Sequence, residues 1–175
     1  ARDGIWVLRS LLRGMGGAAS AAAASVDFGP VDLPGPTGEA NTLVLVPRGR
    51  VLCLGPDSES LLAQSVQALA AGNAVLAVAP GASATVNLLM GKGLPIAAIA
   101  GVATPDSLKC PSIDVVAFSG SAERGREIRK SLAARKGPIV PLVTEALHPA
   151  AYVHERAVCV DTTAAGGSAA LLAGV

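Results

Sequence analysis

The chain has 175 residues, enough for one domain with a real core plus appendages. A formal net charge of +1 argues against general nucleic-acid affinity, and two Phe, one Tyr and one Trp leave little for stacking on bases or sugars. No uninterrupted apolar run approaches the ~20 residues that a membrane span needs.

Ile5 to Arg13 (IWVLRSLLR) predicts a short helix anchored by Trp6 and Leu12. Gly14 to Ser25 is low in complexity and offers little to pack, so it reads as a linker. A weak apolar part interrupted by Arg13 and glycines argues against a signal peptide. The chain begins at Ala1 without Met and is expected to be a piece of a longer protein, with residues 1–30 belonging to a preceding domain. Val31 to Asn41 carries Pro34, Gly35, Pro36 and Gly38, a turn-rich stretch placed at the edge of the compact domain, residues 31–155.

Thr42 to Val46 is a β-rich strand. Then comes a βαβ unit. Arg50 to Leu54 is an apolar strand ending at Gly55-Pro56, and Asp57 or Ser58 caps the helix that follows. Leu61, Leu62, Val66 and Leu69 share one face of that helix, Gly72 suits its left-handed end, and Ala74 to Val78 is the next strand. Further on, Ser83 to Met90 predicts a helix, Ile96 to Ala100 a strand, Thr104 to Ser112 a loop or short helix, and Asp114 to Phe118 another strand. Ser121 caps a helix over Ala122 to Arg135, with Glu123 and Glu127 early and Arg129, Lys130, Arg135 and Lys136 late, the order that suits its dipole. Ile139 to Val143 is a fifth strand of the open sheet, marked as edge or bulge by Pro141. The expected class is α/β, a Rossmann-like open parallel sheet with helices on both faces. Residues 156–175 are read as a final strand over Ala157 to Val160 and an extended tail. That tail (DTTAAGGSAALLAGV) is too short to bury Leu171 and Leu172 by itself, so it frays or docks.

Chemistry is sparse. The turn Gly55-Pro56-Asp57-Ser58-Glu59-Ser60 has one glycine and two carboxylates where a dinucleotide site would show GxGxxG. Asp57 and Glu59 supply negative charge at a helix N-terminus that would otherwise attract a pyrophosphate. Ser119, Gly120 and Ser121 could place N–H groups against a phosphate, or serve as an ordinary turn and cap. Glu145 follows the fifth strand, at the sheet end where open α/β folds place their sites. Cys53 and Cys159 read as buried in apolar strands and inert, Cys110 as exposed, and the odd count without CxxC fits reduced thiols in the cytosol. His148 and His154, six apart, fit no metal pair and read as surface residues.

These residues resemble a known family. PRGRVLCLGP…LAAGNAVLAV, VVAFSGSAERGREI and IVPLVTEAL are similar to the cofactor-binding domain of the aldehyde dehydrogenase superfamily. Phe118-Ser119-Gly120-Ser121 stands for the family's Phe-Thr-Gly-Ser motif, and Glu145 for the Glu of its Glu-Leu-Gly-Gly motif, here followed by Ala146-Leu147. Asp57-Ser58-Glu59 replaces the family's Asn-Phe-Pro, and Val78-Ala79-Pro80-Gly81 replaces the segment whose Lys contacts the cofactor ribose. No segment resembles the catalytic domain with its nucleophilic Cys. LPGPTGEAN and ERAVCVDTTAAGGSAALLAG narrow the likeness to the C-terminal region of the proline utilization A family, bifunctional flavoproteins joining proline dehydrogenase to glutamate-semialdehyde dehydrogenase.

The resemblance implies a non-catalytic domain without cofactor or metal of its own, in a parent that uses FAD and NAD. It would pack on the catalytic domains of the same polypeptide and cover the substrate-channelling tunnel, in the cytoplasm. Thr162, Thr163, Gly166, Gly167, Leu171 and Leu172 would form the interaction tail, docking on a Rossmann-like surface within the chain or on a second protomer. Glycines at 166 and 167 allow the backbone to approach closely. The alternatives are a vestigial nucleotide or anion site at Ser119, Gly120, Ser121 and Glu145, or a stand-alone protein-interaction module.

Overall fold

A computed structural model describes residues 2–161, with side chains from residue 6; the tail positions Thr162 to Leu172 named above lie outside the described residues. The chain divides into two compact units, one of residues 1–26 and 47–153 and one of residues 27–46 and 154–175.

The larger unit begins with helices α1 (Arg2–Arg13) and α2 (Ala18–Ala24). The second of these corrects the linker reading of the Ala-rich run. Alanine has the best intrinsic helix propensity, and its small side chain lets α2 lie close on its neighbours, burying Ser20 and Ala23. Arg9 donates to the Ala24 carbonyl at 2.6 Å, joining α2 to α1, where Leu12 is buried.

The smaller unit holds β1 (Val31–Leu33) and β2 (Glu39–Pro47), antiparallel with Val31 opposite Leu43. The larger unit then continues with β3 (Arg50–Cys53), α3 (Ser58–Ala70), β4 (Ala74–Val78), α4 (Ala82–Gly91) and β5 (Ile96–Ile99). A 3-10 turn at Ser107–Lys109 precedes β6 (Val115–Ala117), α5 (Ala122–Ala133) and β7 (Leu142–Val143). Last comes β8 (Val153–Asp161), which completes a three-stranded sheet in the order β1-β2-β8. No residue of 27–46 or 154–161 is buried.

The main sheet has five parallel strands in the order β5-β4-β3-β6-β7. Its layers follow the period of two along each strand. On one face α3 and α4 cover β3, β4 and β5. On the other, Ile128 and Leu132 of α5 pack with Leu52, Leu54, Val116 and Phe118. The crossover from β5 to β6 carries only the 3-10 turn where the other crossovers carry helices. As a result Leu76 of β4 and Ile99 of β5 stay exposed, beside a groove of about 570 Å³. Leu62 is also half-exposed, off the apolar face of α3 formed by Leu61, Val66 and Leu69. The fifth strand is shorter than expected: Ile139 lies outside it, and Pro141, which has no N–H, enters the edge strand with its carbonyl accepting from Val116 at 3.0 Å.

Candidate functional site

The strand order reverses between β3 and β6, so the crevice beyond their carboxyl ends is where an open α/β sheet places a ligand. Here the two turns that form it are tied together. Ser119 donates its N–H to the Gly55 carbonyl at 3.0 Å. Gln64, buried on α3, accepts from the Gly55 N–H at 3.1 Å and donates to the Gly55 carbonyl at 3.0 Å and to Ser119 Oγ at 3.1 Å. One amide thus bonds both backbone groups of buried Gly55 and reaches the second turn.

One helical turn on, Gln67 repeats the device. Its Nε2 donates to the Ala63 and Ala146 carbonyls at 3.0 and 2.8 Å, and its Oε1 accepts from the His148 N–H at 2.8 Å. That holds the loop after β7 on α3. Asn73, at the end of α3, accepts from the Gly49 N–H at 2.8 Å and donates to the Ala68 and Tyr152 carbonyls, each at 3.0 Å. Sequence reasoning missed all three amides. The available signal was their position: Gln64 and Gln67 fall on the same side of α3 as buried Leu61 and Ala68.

The expected site residues separate into two groups. Ser119, Gly120 and Ser121 form the β6–α5 turn. Ser121 Oγ accepts from the Arg124 N–H at 3.2 Å, the cap expected of it, and a methyl on Gly120 would run into the Phe118 ring, so local packing accounts for glycine there. Glu145 sits in the loop after the neighbouring strand, exposed, accepting from the Thr144 N–H at 3.2 Å and lying 3.7 Å from His148 Nδ1. Its own N–H and that of Thr144 hold its pKa below the ordinary value. No hydrogen bond or ion pair joins Glu145 to the Ser119 turn among the described residues; Gln67 and Gln64 hold the two loops separately on α3.

Asp57 caps α3. Its carboxylate accepts from the Ser60 N–H at 2.8 Å and the Ser60 hydroxyl at 3.0 Å, and these bonds lower its pKa. A dinucleotide fits this arrangement poorly, because an internal carboxylate already occupies donors that a pyrophosphate would use. A pocket of about 370 Å³ remains beside the turns, lined by Leu54, Pro56, Ala79, Gly120, Ser121 and Arg124. The Arg124 guanidinium is engaged, with Glu127 at 2.6 Å and with the Ala103 carbonyl.

Two of the three thiols are raised above their ordinary pKa, and Cys110 is exposed as expected. Cys53 is fully buried, and desolvation pushes its pKa up to about 12 against a smaller opposing effect of the Ser65 hydrogen bond. Cys159 was expected to be buried and is exposed, since β8 buries nothing beyond Val153. Desolvation, Glu39 and Asp161 raise its pKa. His148 and His154 are exposed, and no group of His, Cys, Asp or Glu suited to a metal occurs among the described residues.

Parallel sheet, crossover helices and the crevice at the strand reversal define a Rossmann-like open α/β domain. An NAD-dependent benzaldehyde dehydrogenase from Corynebacterium glutamicum shares this fold at TM-score 0.61, over 79% of this chain and 32% of its own, with 22% identity. The chain is homologous to the bifunctional PutA proteins and matches their C-terminal aldehyde-dehydrogenase-like domain. It is 37% identical to PutA of Salmonella typhimurium over 80% of its length and 35% identical to that of Escherichia coli over the same share. A mutant PutA from Bradyrhizobium japonicum superposes at TM-score 0.63 with 34% identity, over 73% of this chain and 14% of that one. This chain spans 11% of the length of the Salmonella and Escherichia relatives. No protein-family model matches it.

Proposed function

We propose that this chain is a non-catalytic structural domain of a bifunctional enzyme that oxidises proline to glutamate. It packs on the catalytic domains of the same polypeptide and covers the tunnel through which the intermediate passes between their active sites. FAD and NAD serve those catalytic domains and not this one, and the enzyme works in the cytoplasm. The observation that carries this reading is the crevice itself: Gln64 fastens its two turns and Asp57 takes its helix N-terminus, so the fold is kept while the ligand position is filled from within. Titration calorimetry of the chain with NAD is expected to give no heat of binding, and micromolar binding would overturn the proposal.

The tail, with Thr162, Thr163, Gly166, Gly167, Leu171 and Leu172, docks on a Rossmann-like surface of the same polypeptide or of a second protomer. Deleting residues 162–175 from the whole enzyme should introduce a lag in the coupled proline-to-glutamate assay or change the assembly state. An unchanged lag together with an unchanged sedimentation profile would remove the tail from this role.

A second reading has one observation in its favour, the pocket of about 370 Å³ against Gly120, Ser121 and Arg124. It makes the domain a nucleotide or anion binder at the Ser119 turn near Glu145. Melting shifts with nucleotide or inorganic phosphate would support it, and an unmoved transition would set it aside.

A further inference from the structure

We propose that the outer face of α5 and the adjoining β7 edge form a docking surface for an acidic protein segment carrying an apolar anchor side chain. Arg126, Arg129 and Lys130 stand at i, i+3 and i+4, on one flank of the helix beside the face of buried Gly125, Ile128 and Leu132. All three are exposed, and so is Lys136 just past the helix end. None of the four makes an ion pair or a side-chain hydrogen bond among the described residues.

No acid of α5 forms an ion pair with this row. Glu127 is held by Arg124, and Glu123, one turn before Arg126, forms no ion pair with it. Like charges at helical neighbour spacing repel. The helix dipole compensates cations only in the last turn, where Lys130 stands, and Arg126 lies in the first half of the helix. An anionic partner would relieve that repulsion.

An apolar socket adjoins the row. A pocket of about 320 Å³ is lined by Arg129, Leu132, Pro138, Val140 and Leu142, with Ile139 in its wall and 96% exposed. Arg135 also lines it. Its guanidinium reaches the Leu108 and Ile113 carbonyls at 3.3 Å while its Nε is buried without an acceptor. Cations around an apolar hollow match a segment of Asp and Glu flanking one apolar residue. Nucleic acid is a poorer match, because no aromatic side chain lines the pocket for a base to stack on. A lipid surface is poorer too, because the apolar face of α5 is already turned into the core.

The test is fluorescence anisotropy of the full chain with a fluorescein-labelled peptide of alternating Asp and Glu around a central Leu, at physiological salt. Saturable binding is expected, weakened about tenfold or more by the combined charge reversal Arg126→Glu, Arg129→Glu and Lys130→Glu. Ile139→Ser, and a Leu-to-Ser change in the peptide, should each weaken it separately. Arg129→Gln with Lys130→Gln gives a smaller loss and keeps the test decisive if the reversed variant fails to fold by circular dichroism. Absence of saturable binding, equal affinity of the charge variants, or tighter binding of a single-stranded oligonucleotide or phosphatidylserine vesicles would overturn the proposal.

Discussion

Gln64 is the residue on which the crevice depends. Its amide is buried, and every hydrogen bond it makes reaches the Gly55 peptide or Ser119. Gln64→Leu keeps the bulk and strands the Gly55 N–H, while the Gly55 carbonyl keeps the Ser119 N–H; a buried group left unpaired costs about 1–3 kcal/mol. Chemical denaturation is therefore expected to show a loss of about 1–3 kcal/mol with an unchanged m-value. Tyr152 supplies the opposite case. Its hydroxyl is buried without a hydrogen-bond partner, and burial, with Cys53 and Glu145 nearby, raises its pKa. Tyr152→Phe removes an unsatisfied group and should leave stability unchanged or raise it by about 1 kcal/mol. A marked loss in that variant would mean that the hydroxyl is bonded in solution.

At the scale of the element, α3 is the member that organises the larger unit: it carries the Asp57 cap, the Gln64 and Gln67 clamps, and the apolar residues Leu61, Val66 and Leu69. The cap has a defined pH dependence. Bonds to Ser60 lower the Asp57 pKa in the folded state, so its contribution is complete above the unfolded value and is lost as the pH falls through the folded one. Asp57→Ala should lower the melting temperature at neutral pH, and the gap from the parent chain should narrow as the medium turns acidic. A gap that stays constant as the carboxylates protonate would exclude the charged cap as its source. Much of this element was legible beforehand, since Asp57 as a possible cap, the left-handed Gly72 and the apolar residues follow from local rules. The amides were not: Gln on a helix reads as solvent-facing, and only the peptide it meets from another strand shows otherwise. The same reason hid α2. An Ala-rich run has helical propensity without an apolar pattern strong enough to announce its burial, and packing decides. Cys159 erred the other way, for AVCV is an apolar run whose sheet buries none of it.

For the whole molecule, apolar surface is distributed unevenly in each unit. In the larger one, Leu76, Ile99 and Val102 are exposed where a parallel sheet is ordinarily covered. In the smaller one, Val31, Leu33, Val158 and Val160 are exposed, and no residue of 27–46 or 154–161 is buried. Three strands without a buried face are marginal by themselves. The chain in isolation should therefore enhance the fluorescence of an apolar dye such as ANS while still melting cooperatively. Within the whole enzyme the same dye should gain little from this domain if other domains cover it. A dark, cooperative isolated chain would mean that these surfaces are closed in solution.

The amide clamp also bears on the domain's lifetime. Proteins whose turns are fastened by a bound molecule become less stable when that molecule runs short, and their unfolded fraction is cleared. Here Gln64 does the fastening from within the chain. On the proposed reading, local opening of these turns is set by the chain's own amides, so hydrogen exchange at the Gly55 and Ser119 N–H groups should be the same with and without NAD.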